Sequence, residues 1–314
     1  MPSLNRGINY LLHNRAHFCD SIVRNFLGFL PDKLYLSLRY RCQMGHWINW
    51  NNPKTFTEKL QWLKVYDYKP EYTKMVDKLA AKDYVASRIG EEYIIQTLGV
   101  WDKVEDIDWD SLPDQFVLKT THGGGGCGVV VCSDKTHFDK AKAIEKLQTS
   151  MHSNAGKTYR EKPYLNVPRK IIAEKFMAES NVIENTKPSD LQDYKFFCFN
   201  GNVKCFKIDF GRFVEHHANY YSPEGKLLPF GEKGLEPDSN HVEIMPVNLD
   251  NMITIAEKLS GGFKFLRVDL YNVKGKIYFG ELTFYPASGM GAFVPEEWDE
   301  KLGRMLNLDN HHVH

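Results

Sequence analysis

Three absences narrow the interpretation of this sequence. Its six cysteines form no C-x-x-C pair, so their spacing indicates neither a zinc site nor a dithiol redox centre. No run of 18 apolar residues occurs, and the N-terminus lacks the apolar stretch typical of a signal peptide. Because a chain of 314 residues can bury a core without disulfides, we expect a cytoplasmic protein in a reducing compartment.

A net charge is also absent, since 40 basic residues balance 40 acidic ones, and this argues against a general nucleic-acid-binding protein. One local excess remains, because residues 1–42 hold six lysines and arginines but only Asp20 and Asp32 as acids. Helical apolar spacing runs through residues 8–42, with an interruption at 27–32. Two interpretations stay open: a solvated outer face, or helices that contact the inner face of an anionic membrane or a membrane-bound partner.

The chain has no internal repeat and no Rossmann-like βαβ series. Apolar periodicity predicts helices before residue 90 and mostly strands after it, with a polar connection at 153–169. Turn signals at 200–202 and 272–275 predict two hairpins. After residue 42, the predicted helices are 55–66, 73–89, 137–152 and 249–259, and the main predicted strands are 116–119, 129–132, 171–177, 194–199, 203–209, 264–271 and 276–283.

A lysine and a run of glycines follow the first of these strands. Lys119 ends the apolar strand and projects one positive charge beside glycines whose backbone N–H groups can close over an anion. The loop joins two strands, which excludes a Walker loop or a Rossmann fingerprint, because each of those needs a helix next. A nucleotide-phosphate site and a purely structural hairpin both fit the pattern. The glycines concerned include Gly123, Gly124, Gly125 and Gly126.

Two carboxylates occur on the strands of the last predicted hairpin. Period-two alternation puts Arg267 and Asp269 on one face of their strand, and Glu281 and Thr283 on one face of the next. If those faces coincide, two carboxylates and a hydroxyl converge, which is a ligand set that Mg²⁺ accepts together with phosphate oxygens. A simple cross-strand salt bridge of Arg267 is the alternative. Earlier in the chain, Glu174 lies in an apolar strand that fits either an adenine contact or ordinary core.

Four phrases make the sequence resemble the TupA-like ATP-grasp family of teichuronopeptide and surface polysaccharide biosynthesis. They are NPKTFTEKLQW at 52–62, YTKMVDK at 72–78, DYKFFCFNG at 193–201 and FGELTFYP at 279–286. The resemblance covers about residues 50–303. It implies an α/β (α+β) protein with the ATP-grasp fold, in which two α+β subdomains hold ATP between them. The predicted divisions are an N-terminal helical region at 1–72, a small subdomain with the glycine-rich lid at 73–176, and a C-terminal subdomain with the magnesium site at 177–314.

The resemblance also implies roles for individual residues. Arg267 would orient the acyl phosphate, and Lys195 would reach the γ-phosphate. Two further candidates come from their positions in the chain: Arg212, after the Asp-x-Lys hairpin, for the acceptor site, against a solvated loop; and His122, beside the lid, for a contact to phosphate or a base for the amine, against a role in loop packing. The implied nucleotide-binding residues are Lys78, Lys119, the glycines at 123–128, Glu174, Lys175, Met177 and Asp193; the implied magnesium ligands are Asp269, Glu281 and Thr283.

The family resemblance implies a function that uses ATP and Mg²⁺. An acyl phosphate would form on a carboxylate, for which a uronic-acid saccharide is implied, and an amino acid or peptide amine would then displace phosphate. Thr283 departs from the asparagine usual in the superfamily, so the number of bound Mg²⁺ ions stays open. A glycosyltransferase, suggested by the Asp-x-Asp matches at Asp106, Asp108 and Asp110, and a non-catalytic scaffold are the alternatives.

Overall fold

The computed structural model describes residues 15–124, 126–177, 191–210, 216–241 and 243–309. Helices precede the first strand, and groups of antiparallel strands with further helices follow, in agreement with the predicted mixed fold class. The helices are α1 (15–26), α2 (Asp32–Met44), α3 (Phe56–Tyr66), α4 (Tyr72–Val76), α5 (Ala80–Ile89), α6 (Lys140–His152), α7 (Ala155–Tyr159), α8 (Leu249–Ser260) and α9 (Glu297–Met305). The strands are β1 (Thr97–Trp101), β2 (Phe116–Thr120), β3 (Val129–Cys132), β4 (Ile171–Lys175), β5 (Asp193–Phe199), β6 (Asn202–Phe210), β7 (His217–Tyr221), β8 (Gly231–Glu232), β9 (Phe265–Val273), β10 (Lys276–Thr283) and β11 (Phe293–Val294).

The strands form two main sheets and one short ribbon. A four-stranded sheet has the order β1-β4-β2-β3, and a five-stranded sheet has the order β10-β9-β5-β6-β7. The ribbon pairs β11 with β8. Both predicted hairpins are present, and residues in left-handed conformation turn the chain at Asn200–Gly201 and Lys274–Gly275, as a two-residue turn between right-twisted strands requires.

Separate hydrophobic cores lie behind the two sheets. The larger core joins the five-stranded sheet to α8 and to residues of α3, α4 and α5, with Phe56, Tyr72 and Val85 among its members. The smaller core joins the four-stranded sheet to α6 through Phe116, Leu118 and Leu147 among others. The predicted divisions at residues 72 and 176 stay predictions. In the described part of the chain no helix is long and apolar enough to cross a membrane.

In the N-terminal half of the chain, the predicted start of α3 is confirmed and one predicted helix is wrong. Thr55 caps α3 in a reciprocal capping box with Glu58, as the sequence predicts. The single helix predicted over 73–89 is wrong, because the chain leaves helical geometry between α4 and α5. There Asp77 accepts a hydrogen bond from the Leu79 N–H at 2.8 Å, and the Lys78 N–H donates to the Thr121 carbonyl at 3.0 Å. The break attaches Lys78 to the segment that follows β2.

A left-handed turn at Ala287, Ser288 and Gly289 is held by α3. Their φ angles are 47°, 54° and 62°, a conformation that non-glycine residues rarely adopt. Gln61 donates to the Ser288 and Gly289 carbonyls at 2.9 and 2.8 Å. The Lys64 ammonium, whose side chain is fully buried, donates to the Ser288 carbonyl at 2.8 Å and hydroxyl at 2.7 Å. The surrounding contacts therefore fix a strained turn, as such backbone requires.

Replacing this buried ammonium should destabilise the protein. Lys64→Met would remove the ammonium that bonds the Tyr159 carbonyl and pairs with Glu161, and it would leave the Ser288 carbonyl with Gln61 as donor. We expect a loss of about 3 kcal/mol in the free energy of unfolding, measured by urea denaturation, because buried groups would lose a charged donor. The exposed Lys69→Met is the matched control and should change the free energy by less than about 0.5 kcal/mol. Equal effects of the two substitutions would contradict this account.

Candidate functional site

A row of polar side chains crosses one face of the five-stranded sheet. Neighbouring strands pair Glu281 with Asp269, Asp269 with Lys195, Lys195 with Lys207, and Lys207 with Tyr220. Directly paired residues of antiparallel strands lie on the same face, so all five side chains project together. The two carboxylate-bearing faces of the last hairpin therefore coincide, which the sequence alone left open.

Arg267 connects the acids at one end of this row. Its guanidinium donates to Asp269 at 2.7 and 2.6 Å, to Glu281 at 2.9 Å and to the Thr283 hydroxyl at 3.1 Å. Lys78 approaches the other oxygen of Glu281 at 3.2 Å. Burial raises the pKa of Asp269 to about 7, although the neighbouring Arg267 opposes the rise. For Glu281 the attraction of Lys78 and Arg267 outweighs burial and lowers the pKa to about 2.

Lys195 lies at the centre of the row between two acids. It pairs with Asp193 on its own strand and with Asp209 on β6, the latter at 2.7 Å. Its side chain is buried, and burial by itself would lower the pKa of the ammonium, but the surrounding acids raise it. His216 approaches the same Asp209 at 3.1 Å. Lys195 therefore remains a fixed positive charge at the centre of the sheet.

The four-stranded sheet contributes a second charged cluster. Glu174 on β4 forms ion pairs with Lys119 on β2 and with Lys82 on α5, and each Nζ–carboxylate oxygen distance is 2.6 Å. Burial would raise the pKa of Glu174, but the two lysines lower it, so the carboxylate stays charged. The pairing holds the Lys119 ammonium in a defined position. Lys175 ends the same strand with its N–H bonded to the Gln96 carbonyl at 3.0 Å, and Met177 follows the strand.

The glycine-rich loop connects β2 to β3 as predicted. Gly126 and Gly128 have φ angles of 77° and 73°, which side chains rarely adopt. A Cβ at Gly123 would lie 2.5 Å from the Cys127 carbonyl oxygen, so this position has no room for a side chain. Gly124 has open space around it, and Gly125 lies outside the described residues. The base of the hairpin is thus tightly packed against its own backbone.

The remaining predicted site residues have different surroundings. His122 is buried beneath the hairpin, its Nε2 lies 3.0 Å from the Ser150 carbonyl, and burial lowers the pKa of its ring. Arg212 lies outside the described residues. The Asp-x-Asp run lies in an exposed loop before β2, where Asp108 accepts a hydrogen bond from the Ser111 N–H at 3.3 Å. The roles assigned to these residues stay predictions.

The acids beside Arg267 suit a divalent cation bound with a phosphate ligand. Asp269 and Glu281 present hard carboxylate oxygens side by side, and Thr283 adds a hydroxyl 3.2 Å from Glu281. Arg267 and Lys78 already neutralise these oxygens, so a cation would displace one of these pairs and bound phosphate would supply the compensating negative charge. In the described part of the chain no group of three or more histidine, cysteine or acidic side chains is arranged to hold a metal ion. A cation bound here would therefore take its remaining ligands from a bound substrate.

Several charged residues near the site were missed by the sequence interpretation. Lys82, Lys207 and Asp209 lie among the predicted site residues, and Glu232 on the short strand β8 pairs with Lys207 at 2.9 Å. One signal was available: Asp-x-Lys at 193–195 is followed across the hairpin by Lys-x-Asp at 207–209. Antiparallel pairing can bring such a reversed pattern together.

Comparison with known protein families shows to which family this chain belongs. The model of the TupA-like ATP-grasp family matches residues 58–307. The chain therefore belongs to the TupA-like ATP-grasp family, which confirms the predicted family and its fold. No curated protein matches the chain in sequence.

Similar solved structures include three ligases or synthetases. The D-alanine–D-alanine ligase from Bacillus anthracis complexed with ATP has 14% identity and a TM-score of 0.41, and the match covers 74% of this chain and 63% of that one. The N5-carboxyaminoimidazole synthetase from Staphylococcus aureus complexed with ADP has 14% identity and a TM-score of 0.42, with 71% and 50% covered. The L-amino acid ligase from Bacillus licheniformis has 14% identity and a TM-score of 0.44, with 74% and 49% covered. The chain thus spans from about half to less than two thirds of the length of these proteins.

If Lys119 binds nucleotide phosphate, its replacement should weaken ATP binding selectively. In Lys119→Met, Glu174 keeps its pair with Lys82, so we expect the fold to be retained. Loss of one charged hydrogen bond to phosphate should raise the dissociation constant for ATP about 10- to 100-fold, measured by calorimetry. Lys170→Met is the control, because this partly exposed lysine pairs with the exposed Asp102. Unchanged ATP affinity in Lys119→Met would remove the phosphate role.

Proposed function

We propose that this protein is an ATP-dependent carboxylate–amine ligase that forms an amide through an acyl phosphate. The observation that carries the proposal is the convergence of Arg267, Asp269, Glu281 and Lys195 on one sheet face in a member of the ATP-grasp family. This arrangement combines acids suited to a cation with fixed positive charges suited to phosphoryl groups. The exposed Asp-x-Asp loop gives the glycosyltransferase alternative no comparable support.

The proposed reaction has two steps, and the side chains contribute charge and position. First, a carboxylate oxygen of the substrate attacks the γ-phosphorus of ATP, and ADP leaves with the electron pair of the broken bond. Lys119 and Lys195 offset the charge of the transferring group. Asp269, Glu281 and Thr283 would hold Mg²⁺, which when bound supplies further neutralisation of the phosphate oxygens. Lys78, paired with Glu281, is positioned beside the same oxygens.

In the second step an uncharged amine nitrogen attacks the acyl carbon, phosphate leaves with the electron pair of the broken C–O bond, and the excess proton on nitrogen passes to that phosphate or to water. Arg267 holds the acyl phosphate through its guanidinium, which is fixed by Asp269 and Glu281. The glycine hairpin closes over the phosphates and excludes water, which would otherwise hydrolyse the intermediate. We further propose, from the family's setting, that the acid is a uronic acid of a surface polysaccharide precursor and that the amine belongs to an amino acid or peptide.

Phosphate release tests this proposal. Purified protein with ATP and Mg²⁺ is screened against pairs of uronic acids and amino acids, and release should require both an acid and an amine. Asp269→Asn with Glu281→Gln should lower the rate at least about 100-fold, because the carboxylates that hold the cation are lost. Glu296→Gln, an exposed acid elsewhere, is the control and should leave the rate unchanged. Release that persists in the double variant would remove the cation assignment.

We also propose that the N-terminal helices rest on an anionic membrane surface. Phe18, Ile22 and Phe26 repeat every four residues along α1, so they share one face, and the two phenylalanines are 67% and 72% exposed. Phe29 follows with 80% of its surface exposed. Of the basic residues at 15–42, Arg15, Lys33 and Arg41 are exposed, whereas Arg39 is buried and pairs with Asp20. Exposed aromatic groups with basic neighbours are typical of a helix that inserts shallowly between anionic headgroups.

Vesicle flotation tests the membrane proposal. The protein should float with vesicles of phosphatidylglycerol and phosphatidylcholine but not with phosphatidylcholine alone, and high salt should release it. The combined substitution Phe18→Ser, Phe26→Ser and Phe29→Ser should lower binding at least about tenfold, since three apolar anchors are lost. The control is Ile244→Ser with Val247→Ser, which removes apolar groups elsewhere that are more exposed than these phenylalanines. Equal flotation of both variants would contradict the proposal.

A further inference from the structure

A small cavity adjoins the site on the side away from Glu281. Its volume is about 40 Å³, enough for one small polar group. Arg267 forms part of its wall, together with Lys207 and Tyr220 from the other end of the sheet and Glu232 from the short strand β8. Gly289 and Gly291, from the left-handed turn and the segment after it, line another side. A group bound in this cavity would therefore lie beside the guanidinium that the proposed reaction assigns to the acyl phosphate.

Glu232 presents a hydrogen-bond acceptor to the cavity. Tyr220 and Lys207 both donate to Oε1 of Glu232, at 2.5 and 2.9 Å. Oε2 of Glu232 receives no hydrogen bond from the residues that the structure describes, and it is oriented toward Gly291, where an added Cβ would lie 4.0 Å away. Thr57, which also lines the cavity, is already bonded to Asp299. Oε2 of Glu232 therefore suits a hydrogen-bond donor.

Glu232 is also held as an anion in a fixed place. Its strand β8 pairs with β11, and the neighbouring Lys233 N–H donates to the Ala292 carbonyl at 2.8 Å. Burial would raise the pKa of Glu232, but the Lys207 charge and the two hydrogen bonds lower it. Lys207 lies 3.7 Å from Asp209, which pairs in turn with Lys195. Buried charges are costly unless they are paired, and a paired carboxylate with an open oxygen is a suitable receptor for a cationic group.

We infer that Glu232 binds the amine substrate, with its Oε2 receiving the substrate ammonium group in the cavity beside Arg267. The inference rests on the proposed ligase function and adds to it the site of the second substrate. Lys207 and Tyr220 act as positioning residues, because they hold Oε1 and so direct Oε2 into the cavity. The ligand class is a primary ammonium compound, such as an amino acid or the N-terminus of a peptide.

Ligand binding provides a test that does not depend on turnover. Saturation-transfer NMR is recorded on the protein with Mg²⁺ and a non-hydrolysable ATP analogue, using a mixture of the twenty common amino acids as the probe. The wild-type protein should transfer saturation to at least one amino acid. Glu232→Gln should reduce that signal at least tenfold, while the exposed neighbour Glu236→Gln should retain it. Absence of any signal from the wild type, or equal signals from both variants, would overturn the inference.

Turnover separates amine binding from a purely structural role. Hydroxylamine is uncharged at neutral pH, so it can trap the acyl phosphate without needing a carboxylate partner. Glu232→Gln should raise KM for the amino acid 10- to 100-fold and leave ATP-dependent hydroxamate formation from the acid within about twofold. Equal loss of both activities would show a structural role and overturn the inference. If the wild type binds amino acids but turns over no acid, the ligase proposal fails and amine binding stands.

A second variant keeps the charges and obstructs the cavity. Gly291→Ala adds a methyl group 4.0 Å from Oε2 of Glu232 and 3.0 Å from the Ala287 Cβ. We expect KM for the amino acid to rise at least about fivefold with ATP affinity unchanged, because the added group competes for the space beside Oε2. Urea denaturation of Gly291→Ala and Glu232→Gln checks that both remain folded. An unchanged KM in a folded Gly291→Ala would also count against the inference.

Discussion

The site depends on two single-residue bulges, one in each hairpin of the five-stranded sheet. In β10 the pairing passes from Phe279 opposite Leu270 to Glu281 opposite Asp269, so Gly280 is extra. Because a shift of one residue exchanges the two faces of a strand, the bulge moves Glu281 from the core face to the face of Asp269. The backbone approach is close, since a Cβ at Gly280 would lie 3.0 Å from the Asp269 carbonyl oxygen.

The second bulge acts in the same way on β6. The pairs Cys198–Val203 and Phe197–Cys205 leave Lys204 extra, and only beyond it does Lys207 come opposite Lys195. The Asn200–Gly201 turn alone, without a bulge, would set Lys207 opposite Tyr194 and turn it toward the core. These bulges explain why the strands and turns could be predicted from the sequence, whereas the meeting of the charged residues could not. Gly280 was visible, but a glycine in a strand does not by itself indicate which way the register shifts.

The N-terminal helices are part of the same architecture. Lys64 and Gln61 of α3 fix the left-handed turn that borders the cavity, and Phe56 packs in the core behind the five-stranded sheet. The sequence predicted α3 and its cap from local signals, because capping depends on neighbouring residues. It could not predict that a buried lysine joins segments more than 200 residues apart, since nothing local specifies that contact. Removing the N-terminal helical region would also remove the contacts of α3 to this turn. The membrane contact proposed for α1 is therefore better tested by substitution of its exposed side chains.

The charges along the sheet divide the site into two ends with different chemistry. At the β10 and β9 end, Arg267 bridges Asp269 and Glu281. A bound cation would take the place of Arg267 beside these acids, and Arg267 would then bind the phosphate. At the β6 and β7 end, Lys207 and Tyr220 both donate to Oε1 of Glu232, so Oε2 can accept a hydrogen bond from a substrate. Lys195 lies between the two ends, and its ion pairs with Asp193 and Asp209 reduce the repulsion between these two acids. An anionic intermediate at Arg267 would attract a cationic substrate to Glu232, and once that substrate loses a proton its nitrogen would already be held beside Arg267, which favours attack by the amine over hydrolysis.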